Sequence, residues 1–196
     1  MENSPQIEPW ERSKNFENFN FRFKGSFDVS KIAEYVTSSD MVWGRKRFGI
    51  HHAETNPYYI NDVIEGWEVG EPYVSIYVSK NDTLWFLVEP IIRHFEKEIN
   101  GKMGKVLFIL LPEGKEVYGH YDYGDYLSSV RRHHIAIVTN PDVQFSVEDE
   151  TINMKSGECW EINNVKWHEV KNLGNSLRIH LLFDIMPNEY VRSNNA

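Results

Sequence analysis

Across 196 residues the chain carries eleven Phe, ten Tyr and six Trp, which excludes intrinsic disorder and suits a single domain, 1–196. A net charge of −8 and a pI near 5.5 leave no basic footprint, so neither nucleic acid nor acidic lipid is an expected partner. One cysteine, no membrane-length apolar run and an opening MENSPQIEPW without a signal-peptide pattern point to a reducing cytoplasm and no membrane.

Taken in order, the first informative stretch is Phe19, Phe21 and Phe23, whose alternation suits a short strand. A helix is expected over 28–37, capped by Asp28 or Ser30, with Ile32, Ala33, Tyr35 and Val36 on its apolar face. Residues 43–59, WGRKRFGIHHAETNPYY, have no period and read as a loop or as a strand facing a polar cavity. Tyr73 to Val78 alternates as a strand. The clearest helix runs from Asp82 to Ile99, with Leu84, Leu87, Val88, Ile91, Ile92, Phe95 and Ile99 at helical spacing. Asn81 or Asp82 would cap it, Pro90 should kink or split it, and Asn100-Gly101 should stop it.

From Val106 the pattern changes to short strands divided by turn residues. The expected strands are 106–111, 134–139, 143–147, 151–154, 159–162, 167–170 and 177–185. Such spacing suggests a sandwich or barrel. The core is therefore expected over 106–187, with 1–105 as its helical and strand cover. On the last strand Arg178, His180, Leu182 and Asp184 share one face. Leu177, Ile179, Leu181, Phe183 and Ile185 share the other, which is expected under helices.

Eight histidines occur. His94 sits on the polar side of the long helix and reads as surface. In an extended segment His120 and Asp122 point to one side, which makes two-thirds of a two-histidine, one-carboxylate metal triad. A surface turn before Gly124 is the competing reading. His168 is a third ligand candidate. A tight turn near Leu173 would set His168 and Arg178 opposite each other on adjacent antiparallel strands. A guanidinium on an inner polar face needs an anion, and a dicarboxylate would supply one. Arg132 and His134 are set to face the same interior, although a slip of one residue would exchange them for Arg131 and His133. His180 reads as a satisfied core histidine in preference to a cavity residue, Cys159 as a buried apolar residue and Trp167 as core. His51, His52, Arg45 and Arg47 read as a solvated loop or as substrate contacts.

The run SGECWEINNVKWHEVKNLGNSLRIHLLFDIMP, residues 156–187, resembles the aspartyl/asparaginyl β-hydroxylase family. The resemblance rests on Gly157, Trp160, Asn163-Asn164, His168-Glu169-Val170, Arg178 and Asp184, with His120-x-Asp122 and Arg132-x-His134 upstream. It covers 107–187. It implies a mainly β double-stranded β-helix, a cupin-like jelly roll with flanking helices, using Fe(II), O2 and 2-oxoglutarate to hydroxylate an unactivated C–H bond. By the same resemblance His120, Asp122 and His168 would hold the iron. Arg178 would pair the distal carboxylate of 2-oxoglutarate, and Arg132 and His134 would orient the other end of the cosubstrate or the metal site. Ligand imidazoles need acceptors for their remaining N–H groups; Glu169 and Asp184 are candidates, a choice the sequence leaves open. Asp122 fills a position where some members have no carboxylate, which favours hydroxylation over halogenation. The expected substrate is an amino acid, a peptide side chain or a small polar metabolite. The membrane anchor and helical repeats of members acting on extracellular domains have no match, so that substrate is not expected. Two other readings keep the barrel: a cupin-type metalloenzyme without 2-oxoglutarate, and a non-catalytic jelly-roll binding module.

Overall fold

The computed structural model describes residues 18–38, 41–44, 50–63, 75–77 and 82–191. Arg45, Arg47 and Asn81, together with parts of the stretches 43–59 and 73–78, lie outside them. Strand β1 spans Phe21–Ser26 and helix α1 Ser30–Val36. Asp28 Oδ1 accepts from the Ser30 amide at 3.0 Å and its hydroxyl at 2.7 Å, which ties down the chain just before the helix. A 3-10 turn, Ile50–His52, leads to β2, Asn56–Val63, and then β3, Ser75–Tyr77. Helix α2 covers Asp82–Ile99 without a break. Pro90 does not split it because it lies on the exposed face, where the carbonyl it leaves unbonded can be hydrated. Asn100 ends the helix in the left-handed region at φ 53°.

Strands β4, Gly101–Leu111, and β5, Glu116–His120, follow. A short helix α3, Asp125–Ser129, precedes β6, Arg131–Val138. Then come β7, Val143–Val147, β8, Glu150–Ile152, β9, Glu158–Ile162, β10, His168–Asn172, and β11, Arg178–Pro187.

These strands build two sheets, ordered β1-β9-β6-β11-β4-β2-β3 and β5-β10-β7-β8. Their facing sides share one apolar cluster: Leu111, Ala136 and Ile162 of the large sheet meet Val117, Phe145, Val147 and Val170 of the small one. The outer side of the large sheet carries Ile135, Ile137, Ile179, Leu181, Phe183 and Ile185, covered by Ile32 and Val36 of α1 and by Leu84, Val88, Ile92 and Phe95 of α2. The fold is the cupin-like jelly roll.

Strand β11 keeps the expected division of faces. Leu177 does not belong to it: it precedes the strand and is 38 % exposed. The expected pairing of His168 with Arg178 on adjacent strands is also corrected. Strand β10 pairs with β5 and β7, whereas β11 pairs with β4 and β6. The turn between them passes from one sheet to the other, so the two residues face each other across the sandwich. Asn172 fixes that crossing by donating to the carbonyls of Pro112 at 3.0 Å and Ser176 at 2.8 Å. Gly174 permits it, since a Cβ there would stand 2.2 Å from Asn140 Oδ1.

His133 is fully buried between the sheet and α2, its ring 4.9 Å from that of Phe183 and nearly parallel to it. Nδ1 donates to the Arg131 carbonyl at 3.0 Å, and Nε2 has no partner among the described residues. Burial pushes its pKa down to about 4. The unfolded imidazole protonates near pH 6.5, so stability is lost as pH falls from there towards 4, at up to about 1.4 kcal/mol per pH unit. His133→Phe should remove that slope and raise stability at pH 5 relative to wild type, as read from denaturant midpoints across pH.

Candidate metal centre

Three ligand candidates converge from two places in the chain, 120–122 and 168. Strands β5 and β10 pair antiparallel with His120 opposite His168, and the two ring centroids are 4.3 Å apart. Asp122 lies two residues beyond β5, and its backbone N–H donates to the Asn164 carbonyl at 3.1 Å. His120 Nε2 is then 3.8 Å from Asp122 Oδ1. One donor atom from each of the three residues lies within 4.8 Å of the others.

The chemistry of this donor set fits a divalent metal with open positions. His120 Nδ1 is 2.7 Å from the Tyr118 carbonyl, and His168 Nδ1 is 2.9 Å from the Lys166 carbonyl. A carbonyl only accepts, so both Nδ1 atoms carry the proton and both Nε2 lone pairs are left to coordinate. These carbonyls, two residues upstream of each histidine, replace the expected Glu169 and Asp184. Glu169 instead pairs with Lys171 at 2.7 Å and Asp184 with Arg132. Burial, reinforced at His120 by the neighbouring His168, lowers the pKa of both imidazoles and keeps them neutral.

Asp122 is held through one oxygen. Its Oδ2 accepts from Arg132 Nη1 and from Asn164 Nδ2, the latter at 3.1 Å. Its Oδ1 faces the histidines. Burial opposes its charge, but the Arg132 guanidinium and the hydrogen bond from Asn164 outweigh that and hold the carboxyl below its usual range. Arg132 also binds Asp184 in a fork: Nε to Oδ1 and Nη2 to Oδ2, both at 2.8 Å. Asp184 Oδ2 accepts from Tyr126 at 3.0 Å, whose hydroxyl accepts in turn from the Lys105 amide.

Beyond the triad a cavity runs between the sheets. Its wall includes His52, His120, Arg132, His134, Phe145, His168, Arg178 and Leu182. Arg132 and His134, not Arg131 and His133, face it: Arg131 binds Glu161 at the outer side of the sheet. Arg178 is 1 % exposed and has no carboxylate within 4.0 Å among the described residues. Burial alone pushes its pKa down to about 9.

At several residues the structure goes beyond the sequence reading or corrects it. His52 contributes to the cavity wall, and its ring stands edge-on to that of His120 at 4.6 Å, while His51 stacks on His120 at 5.2 Å. In the Asn163-Asn164 pair, Asn164 grips Asp122, a contact that the motif alone does not show. Trp167 is half-buried rather than core and lies over Gly119, where a Cβ would meet its ring at 2.0 Å. His180 is buried as expected, but its Nε2 has no partner among the described residues.

The sequence profile of the aspartyl/asparaginyl β-hydroxylase family matches residues 84–187, just over half of the chain. The jelly roll with its His-Asp-His cluster thus has a family: the chain belongs to the aspartyl/asparaginyl β-hydroxylases. No curated protein matches it. Among solved structures it is similar to an oxidoreductase of the 2OG-Fe(II) oxygenase family from Burkholderia pseudomallei, with TM-score 0.63, 9 % identity and 98 % of both chains covered. It is also similar to the viral collagen prolyl hydroxylase of Paramecium Bursaria Chlorella virus-1, solved as a 2OG complex. There the TM-score is 0.58 and the identity 8 %, with 87 % of this chain and 97 % of that chain covered. At these identities the likeness is one of fold. Among the described residues no helix is long and apolar enough to cross a membrane.

Gly119→Ala should force Trp167 off the strand pair that sets His120 opposite His168. A loss of about 1–3 kcal/mol is expected from such overpacking, measured by chemical denaturation.

Proposed function

We propose that the protein is an Fe(II)- and 2-oxoglutarate-dependent dioxygenase. It would hydroxylate an unactivated C–H bond of an amino acid, a peptide side chain or a small polar metabolite. The observation that carries this reading is the pairing of the His120-Asp122-His168 cluster with Arg178. A buried guanidinium without a carboxylate partner among the described residues faces the same cavity as the ligand cluster. A cupin-type enzyme acting without a dicarboxylate has no use for that cation.

His120, Asp122 and His168 would hold the iron, leaving positions for 2-oxoglutarate and O2. When bound, the metal and cosubstrate supply an oxidant for C–H hydroxylation while 2-oxoglutarate is converted to succinate and CO2. The chain supplies position and exclusion. Arg178 receives the distal carboxylate with its guanidinium fork. His134, on the cavity wall, orients the cosubstrate. Arg132 holds Asp122 so that Oδ1 stays directed at the histidines, and its charge keeps that carboxylate ionised. Phe145, Val170 and Leu182 give the cavity an apolar wall that excludes bulk water from the reacting atoms. His52 and the segment 121–129, a short loop that runs into α3, would select the substrate.

Anaerobic addition of Fe(II) and then 2-oxoglutarate should give a weak visible charge-transfer band. The band should vanish in His120→Ala. In Arg178→Ala the affinity for 2-oxoglutarate should fall by about 2–5 kcal/mol, since a buried carboxylate would lose its charged partner. Iron that binds without any band would refute 2-oxoglutarate as the cosubstrate.

In aerobic assays with a turned-over substrate, succinate release should require Fe(II) and stop in His168→Ala. Unchanged release in that variant would remove the triad from the reaction.

A further inference from the structure

The two buried arginines of the cavity are held by different chemistry. Arg132 is gripped along both edges by carboxylates, Asp184 and Asp122, which balance its charge. Arg178 is gripped by a ring. Its Nη2 stands 2.7 Å from His180 Nδ1, and its guanidinium carbon lies 6.0 Å from the centroid of Phe145. Neither neighbour carries negative charge. Arg178 Nε has no partner among the described residues.

A guanidinium only donates, so His180 Nδ1 must bear a lone pair. That fixes His180 as the neutral tautomer with its proton on Nε2. His180 sits on β11 between Arg178 and Leu182, on the same strand face, and is 1 % exposed. It forms no part of the cavity wall, whereas Arg178, His134 and Leu182 do. The imidazole therefore braces the guanidinium from outside the cavity.

We propose that His180 is a positioning residue for the cosubstrate carboxylate: as a neutral acceptor on Arg178 Nη2 it aims the guanidinium and leaves its charge for the ligand. An Asp or Glu at this place would aim it equally well but would neutralise it. A purely apolar neighbour would leave the charge intact and the fork free to turn. Only an uncharged acceptor does both. This rests on the reading of Arg178 as the receptor for the distal carboxylate of 2-oxoglutarate.

The substitutions that separate aim from bulk are His180→Asn and His180→Leu. Asn Oδ1 can occupy the place of His Nδ1 and still accept from Arg178, whereas Leu fills a similar volume without an acceptor. The probes are 2-oxoglutarate and pyruvate, which shares the 2-oxo acid end but lacks the distal carboxylate. Each is titrated calorimetrically into the anaerobic Fe(II) protein. His180→Leu should weaken 2-oxoglutarate about tenfold or more, as expected for a lost hydrogen bond to a charged group, and leave pyruvate unchanged. His180→Asn should recover most of the loss.

Equal weakening of both probes, or no weakening of either, would overturn the positioning role while leaving Arg178 as receptor. Wild type that binds 2-oxoglutarate no more tightly than pyruvate would overturn the Arg178 reading itself. Should His180→Leu fail to fold, nitrogen-15 NMR of the wild-type histidines still decides: His180 must be neutral with its proton on Nε2. A protonated Nδ1 would end the proposal.

Discussion

The ion network around Arg132 is the constraint on which the geometry of the centre depends. Its guanidinium extends from β6 of the large sheet. Asp184 stands opposite it in register on β11, and Asp122 lies on the loop that leaves β5 of the small sheet. A buried charge of this kind costs several kcal/mol to desolvate unless every partner stays in place. The loop carrying Asp122 is therefore held to the large sheet. Because Arg132 and Asn164 together occupy Oδ2, the other oxygen is directed at His120 and His168. Tyr126 extends the network to Asp184 and to the Lys105 backbone, so α3 and β4 are fastened to the same charge.

The sequence was most legible where one side chain period met one apolar surface. Helix α2 occupies the residues its spacing predicted, 82–99, and β7 occupies 143–147. The alternation on β11 divides a helix-covered face from a cavity face, because a two-residue period leaves no third option. Strands of weak period were harder to read. Strand β2 carries Asn56, Pro57, Asn61 and Asp62, which look like loop residues, yet it pairs with β4 over 56–61. The link from β10 to β11 has the composition of a hairpin turn and does another thing. Local pattern cannot tell a hairpin from a passage between sheets. What decides here is Asn172, whose side chain reaches carbonyls about 60 residues upstream.

The candidate ligands were legible and their supports were not. His-x-Asp, the later histidine and the arginine ten residues beyond it stand out as residue types in order. The groups that orient them are mostly main-chain carbonyls, at Tyr118 and Lys166, which any residue supplies and no sequence advertises. The same holds for His51 and His52. Their stretch has no period, and only the 3-10 turn packed on β5 brings their rings against His120. Gly119 and Trp167 are a further hidden pair: each is beside a histidine of the candidate centre, and the strand pairing presses the indole onto the one residue without a side chain.

The two arginines give the cavity a division of charge that a static inventory of polar residues would miss. Arg132 sits among Asp122 and Asp184, so that triplet formally brings one net negative charge to the side of the His-Asp-His cluster. Arg178 sits against His180 and Phe145 and brings one net positive charge to the other side. Bringing a cation into such an interior with no counter-charge among the described residues is unfavourable, and burial pushes its pKa down to about 9. The same unfavourable state is relieved when an anion arrives, and it is relieved most by a carboxylate that fits the fork. On the proposed reading, then, the protein carries an electrostatic strain that its cosubstrate removes. Selectivity for a dicarboxylate over a simple 2-oxo acid follows from that strain, and it persists only while the guanidinium is braced by groups that do not neutralise it.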